Sequence, residues 1–233
     1  MPIRRATWAD IPAAATVTAS AFFEEDLFGP VMHPHRYRYP SDMSLWFLRQ
    51  LRMDFFNPCC VVLVSHPAES PRTITGVAVW GRKGHGAAAF KASQSWIDWV
   101  CAKLIPLYNW LEAKFWPNRA ADVNQADVLE KSFVYIAHYW QTPARLENWY
   151  LQLCGTGPQF QGKGYGKDLV LWGVDRARQE GIAASLVSAK GKEGFYKKCG
   201  FGDPVGWASE GGDENPIHHV EGGAILWIDV AKS

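Results

Sequence analysis

The 233-residue chain has no C-x-x-C pair, and its five cysteines (Cys59, Cys60, Cys101, Cys154 and Cys199) are odd in number, with two adjacent. That spacing suits neither a zinc site nor a disulfide framework, and it predicts free thiols in a reducing compartment. No long basic run occurs. With 24 basic and 23 acidic residues the formal charge is +1, which argues against a nucleic-acid binder. No apolar stretch is long and clean enough for a bilayer: the richest window, from Trp96 to Trp116, carries Asp98, Lys103, Glu112 and Lys114. The opening Met1-Pro2-Ile3-Arg4-Arg5 lacks the apolar centre of a secretory signal. Together these absences predict a cytoplasmic protein with no membrane span.

Aromatic side chains, by contrast, are abundant. Twelve Trp and twelve Phe, in a chain 48% apolar and 20% charged, can fill a large core or line an apolar pocket. The length predicts one α/β domain over residues 1–233, with an insertion. Residues 3–6 read as a strand, and Thr7 as the N-cap of a helix with Asp10 in its first turn. Ser41 is expected to cap a second helix with Leu45, Leu48, Leu51 and Phe55 on its inner face. Apolar runs at 59–64 and 73–80 form a hairpin pattern, followed by a basic, Gly-rich break at 81–86. Residues 87–143 read as a helical insertion, in which Pro106 is expected to kink or split the Trp-rich helix. Strand composition returns at 147–156, 184–187, 205–208 and 224–230, with helices at 166–181 and 193–198.

The stretch LCGTGPQFQGKGYGKDL, residues 153–169, carries the chemistry. A strand runs into a loop with glycine at 162, 164 and 166, and the loop opens directly into a helix. Alternating glycines let the backbone N–H groups approach a ligand closely. The helix start adds unpaired N–H groups and a partial positive charge, and Lys163 adds a full one. A dinucleotide site would need a third glycine where Lys167 stands. A nucleoside-triphosphate site would need Ser or Thr after Lys163, where Gly164 stands instead.

The remaining pattern, Gln161-x-x-Gly164-x-Gly166, resembles the signature of the GNAT N-acetyltransferase family. The segment WYLQLCGTGP at 149–158 resembles its fourth strand, residues 3–11 its opening strand and helix, and FYKKCGF at 195–201 its closing element. The resemblance implies a mixed α+β fold: a central, mostly antiparallel, splayed sheet flanked by helices, with the helical insertion between the third and fourth strands. It implies acetyl-CoA as co-substrate, its pyrophosphate held by Gln161, Gly162, Lys163, Gly164, Tyr165 and Gly166. It also implies an acetyl carbonyl near the backbone of Cys154, Gly155 and Thr156. The acetyl group would pass directly, in a ternary complex, to the amine of a small molecule.

The family's closing tyrosine corresponds to Tyr196, which the resemblance makes the proton donor to the leaving thiolate. An alkylamine needs a base to become neutral, and Glu147, alone or through water, is the candidate beside the fourth strand. Glu25 and Asp26, after the first helix, are candidates for holding a cationic acceptor. Cys154 has no neighbouring histidine in the sequence and is expected to pack rather than react. His33, His35, His218 and His219 lack a set of carboxylate or Cys partners, so no metal is expected. The Trp-rich insertion suits a lid over an apolar or aromatic acceptor; a homodimer contact or a membrane surface would fit the same face. The alternative function is an acyl-CoA-binding protein that kept the loop and lost transfer.

Overall fold

In the computed structural model, which describes residues 2–229, the first strand β1 (Ile3–Arg5) ends in a turn organised by Asp10. Asp10 accepts from the backbone N–H and the hydroxyl of Thr7, both at 2.7 Å, and from Arg4 at 2.6 and 2.9 Å. The Arg4 bonds are the main reason its carboxyl sits far below the usual carboxylate range. Thr7 does stand at the expected start, but one 3-10 turn (Trp8–Asp10) precedes α1 (Ile11–Phe22).

Helix α2 (Met43–Phe56) starts after Asp42 rather than at Ser41. The Asp42 carboxylate is bound by the backbone and guanidinium of Arg119, so neither residue caps the helix with its side chain. Its inner face is Met43, Phe47 and Leu51; of the predicted residues Leu51 is fully buried there, while Leu48 and Phe55 pack only partly.

Strands β2 (Cys60–Ser65) and β3 (Gly76–Lys83) form the expected hairpin. β3 runs on through the expected break, because Gly81, Arg82 and Lys83 pair with the next strand. Helices α3 (Ala87–Ala92), α4 (Trp96–Phe115) and α5 (Val128–Ile136) then intervene before β4 (Asn148–Thr156). Pro106 does not split α4. It sits at an exposed position, where the hydrogen bond it removes can be replaced by water. The chain continues as α6 (Tyr165–Glu180), β5 (Ala183–Ser188), α7 (Glu193–Lys197), β6 (Gly206–Trp207) and β7 (Ala224–Ile228). The last strand was expected to reach Val230, which lies outside the described residues.

The sheet order is β1-β2-β3-β4-β5-β7-β6, and β4 with β5 is the one parallel pair among the described strands. One face is covered by α6, over Trp80, Trp149, Leu151 and Leu186. The other is covered by α1 and α2, over Val62, Val77, Val79 and Leu153. A third cluster, including Met32, Val128 and Ile136, covers Ile225 and Trp227 of β7.

Helix α6 comes close to the sheet because Gly173 has no side chain. A Cβ there would fall inside the indole of Trp80, whose Nε1 donates to the Leu169 carbonyl at 3.1 Å. Gly173→Ala gains about 1 kcal/mol of helix propensity but overpacks a fully buried Trp, at a cost of about 1–3 kcal/mol. The expected outcome in urea unfolding is net destabilisation; a stabilised variant would refute the close approach.

Asp54, on the last turn of α2, is buried, and burial pushes its carboxyl up to about 6 even though Gln50 donates to both oxygens at 3.1 and 3.3 Å. A raised acid favours the folded state while it stays protonated, and this stability is lost as pH rises from about 4, the unfolded pKa, through about 6. Asp54→Asn should therefore gain about 2 kcal/mol at pH 8 and about half that at pH 5, read from denaturant midpoints.

Candidate functional site

The site is organised by two strands that part. β4 and β5 pair from Asn148–Ala183 to Leu151–Leu186, after which β4 continues to Thr156 hydrogen-bonded only to β3. The parting coincides with a bulge: Val79 opposes Leu153 while Trp80 opposes Leu151, which leaves Gln152 as the extra residue. Before the bulge Trp149 and Leu151 face α6. After it Leu153 joins the α1–α2 side and Cys154 packs toward α6. On the underside Gly155 is covered by Ala21 and Phe22, whose atoms would stand 3.1 Å from a Cβ at that position.

Beyond Thr156 the loop is held by its own bonds. The Gly157 N–H donates to Thr75 at 3.0 Å, residues Pro158–Phe160 make a 3-10 turn, and Gln161 Nε2 donates to the Thr156 carbonyl at 3.1 Å. Gly162 and Gly164 have φ of +75° and +89°, and a Cβ at either would meet open space. Glycine is required there by the left-handed backbone, not by crowding. Among the described residues, none of the backbone N–H groups from Gly162 through Lys167 meets an acceptor; the first bond of the helix is Asp168 N–H to Gly164, at 3.2 Å. Six consecutive bare donors exceed the usual unpaired first turn. Lys163 is exposed beside them, its Nζ 5.8 Å from the Phe160 ring centre. Tyr165 turns inward, edge-on to Phe160.

Tyr196, on α7, is buried next to Cys154 and Cys199 and packs against Phe195 and Phe201. Burial, then the two cysteines, push its phenol well above its ordinary value. Burial likewise pushes the Cys154 thiol up to about 12, which leaves it protonated and a poor nucleophile.

The acidic candidates separate. Glu25 accepts from the backbone N–H of Leu27 at 3.0 Å and Phe28 at 2.8 Å, closing the π-helical turn Leu27–Val31, and burial raises its carboxyl. Its oxygens thus hold the loop. Asp26 instead lines a cleft of about 590 Å³ with Pro30, Val31, Lys190, His219 and Glu221. This cleft joins the α1–α2 connection to the loops after β5 and before β7, at the end where β4 and β5 have separated.

Glu147 lies elsewhere. It precedes β4 at the end opposite Thr156, roughly 20 Å along the strand from Cys154. Burial would raise it, but Arg82 at 2.7 Å and the backbone N–H groups of His85 and Gly86 outweigh that and hold the carboxyl below its ordinary value. Its carboxylate is committed to the turn after β3, which corrects the expectation that it stands beside the reacting groups.

Three features escaped the sequence. The bulge at Gln152 is hidden because Trp149, Leu151 and Leu153 read as unbroken alternation. The cleft residues Lys190, His219 and Glu221 come from loops without a motif. A second cavity, of about 530 Å³, lies where Leu129, Phe133 and Trp140 of the insertion cover Tyr150 and Gln152. Trp140 is fixed there by an Nε1 bond to Ser185 Oγ at 3.0 Å, and Ser185 Oγ in turn donates to Asn148 at 2.9 Å. No three His, Cys, Asp or Glu side chains converge among the described residues, and no described helix is long and apolar enough to cross a membrane.

Residues 109–201 match the model of the acetyltransferase (GNAT) family. The chain is similar to a structure described as histone acetyltransferase HPA2 and related acetyltransferase from Corynebacterium glutamicum, at 19% identity, TM-score 0.61, over 99% of this chain and 97% of that one. It is also similar to the PaiA N-acetyltransferase from Thermoplasma acidophilum in complex with coenzyme A, at 11% identity, TM-score 0.52, over 98% of each chain. At these identities the two structures speak for the fold. The parted strands and the glycine loop between β4 and α6 both lie within the residues that match the acetyltransferase (GNAT) family model.

Proposed function

We propose that the chain is a single-domain, acetyl-CoA-dependent N-acetyltransferase acting on a small amine. The observation that carries this reading is the row of six backbone N–H groups from Gly162 to Lys167, at the mouth of α6, that meet no acceptor among the described residues. Such a row binds a diphosphate. The edge that β4 exposes after Leu151 has backbone groups without a strand partner, and the amide-bearing pantetheine arm of coenzyme A can pair with such an edge. The Thermoplasma structure was solved with coenzyme A, which supports the same assignment.

With the cofactor so held, the thioester would lie by Cys154 to Thr156, whose backbone N–H groups are candidates to steady the carbonyl oxygen as charge develops. The amine attacks the carbonyl carbon and the carbon–sulfur bond breaks, so the sulfur leaves with an electron pair that needs a proton. Tyr196 keeps its proton at neutral pH because burial disfavours the phenolate. Burial also pushes the neighbouring Cys154 thiol up to about 12. A thiolate released there carries the same penalty, so it is basic enough to draw on the phenol. The acceptor would enter by the cleft beside Asp26, whose carboxylate suits an ammonium group, while Glu221 there is paired with Lys190; the cavity under Trp140 offers room to an apolar body.

One observation favours a second reading, binding without transfer: Glu147, the expected base, is spent on Arg82. Release of free thiol from acetyl-CoA across an amine panel separates the two.

Calorimetry with acetyl-CoA tests the cradle. Gly164→Asp and Lys163→Glu should each weaken binding at least about tenfold, roughly 1.4 kcal/mol. No heat at millimolar cofactor, or unchanged affinity in both variants, would remove the reading. Tyr196→Phe should lower kcat by about tenfold or more while acetyl-CoA affinity stays nearly constant. Wild-type turnover in that variant would exclude Tyr196 as the proton donor.

A further inference from the structure

Helix α4 is built with its polar side inward. Its buried residues are Ile105 and Asn109, and Glu112, a three-residue step further on, is nearly buried. Asn109 donates to the Arg49 carbonyl at 3.0 Å, and Glu112 receives Arg49 at 3.2 Å and Arg52 at 2.9 Å. The opposite stripe, Trp96, Trp99, Lys103, Leu107, Trp110 and Lys114, advances in steps of three and four residues and faces water along its whole length. The ends of the helix are barest, with Trp96 76% and Phe115 74% exposed. An apolar face of this extent, on the side of a helix turned away from its own core, marks a docking surface.

Charge decides what docks. Glu112 is consumed inside, and Asp98 takes a bond from Ser95 Oγ at 2.7 Å on the far side of the helix from the stripe. The outer stripe therefore carries two lysines and no acid. A second copy meeting it through the same face would bring cation against cation with nothing to neutralise either. An anionic bilayer surface fits better. Lys103 and Lys114 run back along the rings of Trp99 and Trp110, with Nζ 6.0 and 5.1 Å from the ring centres. Stems laid over apolar surface can leave the ammonium groups among lipid headgroups. Indoles favour that same depth, apolar in body and polar at one edge.

We propose that α4 docks the protein on anionic membrane, lying flat at headgroup level with the Trp-Lys stripe inserted. The inference is independent of acetyl transfer. The full chain should co-sediment with vesicles of phosphatidylcholine and phosphatidylserine and bind pure phosphatidylcholine at least tenfold more weakly. Lys103→Glu with Lys114→Glu should cost about fivefold or more for each lysine. Trp99→Ser with Trp110→Ser should release the protein from vesicles while leaving the melting temperature unchanged, since both rings are exposed. Either of two results would overturn the proposal. One is binding to neither vesicle at millimolar lipid; the other is a wild-type dimer by light scattering that the Trp variant turns into monomer.

Discussion

The parting of β4 from β5 after Leu151 and Leu186 is the constraint on which the rest of the site depends. Two parallel strands that stop pairing in mid-sheet leave backbone groups without partners, which is costly unless something else meets them. Part of the solution is local. The extra residue at Gln152 shifts the register by one, and a shift of one exchanges the faces of every later side chain. Without it Cys154 would point at α1 and Leu153 at α6. With it Leu153 completes the α1–α2 core, while Cys154 joins Tyr196 on the side where the gap opens.

The same point in the sheet also sets the position of α6. The register shift falls between Val79 and Trp80, and Trp80 is the residue whose indole lies against Gly173 and bonds the Leu169 carbonyl. The position that displaces the outer half of β4 therefore fixes the distance and axial position of the helix whose first turn faces the gap. The bulge and the glycine loop form one mechanical unit. Because the N–H groups of that loop belong to the backbone, their geometry follows from the helix as a rigid body and from two glycines with positive φ, and no side-chain rotamer needs to be arranged.

How much of this could be read beforehand depended on whether the signal was local. The glycine loop was legible because glycine at 162 and 164 answers to a backbone conformation and nothing else. So were the helix that follows it and its end at Gly181, where φ is +64°. The insertion between β3 and β4 was legible from helical spacing. What failed needed long-range partners. Ser41 looked like a cap because nothing in the sequence announces that Arg119, 77 residues after Asp42, claims the Asp42 carboxylate. Glu147 looked free for the same reason, since its partner Arg82 lies on the preceding strand. Glu25 and Asp26 looked equivalent; only the turn that Glu25 closes tells them apart. The inner side of α4 was not legible because apolar spacing does not announce that Arg49 and Arg52 draw the polar stripe inward.

The misreading of Glu147 has a constructive side, because it identifies what closes the other end of the same strand. Arg82, its side chain 6% exposed, is clasped between Glu147 at 2.7 Å and Glu180 at 2.8 Å, and Trp149 Nε1 donates to Glu180 at 3.0 Å. Glu180 is the last residue of α6. The C-terminal end of that helix, where its dipole is negative, is thereby fastened through a buried cation to β3 and β4. The N-terminal end, where the dipole is positive, and the loop before it carry six donors without an acceptor among the described residues. One helix is pinned at the end that attracts cations and bare at the end that attracts anions.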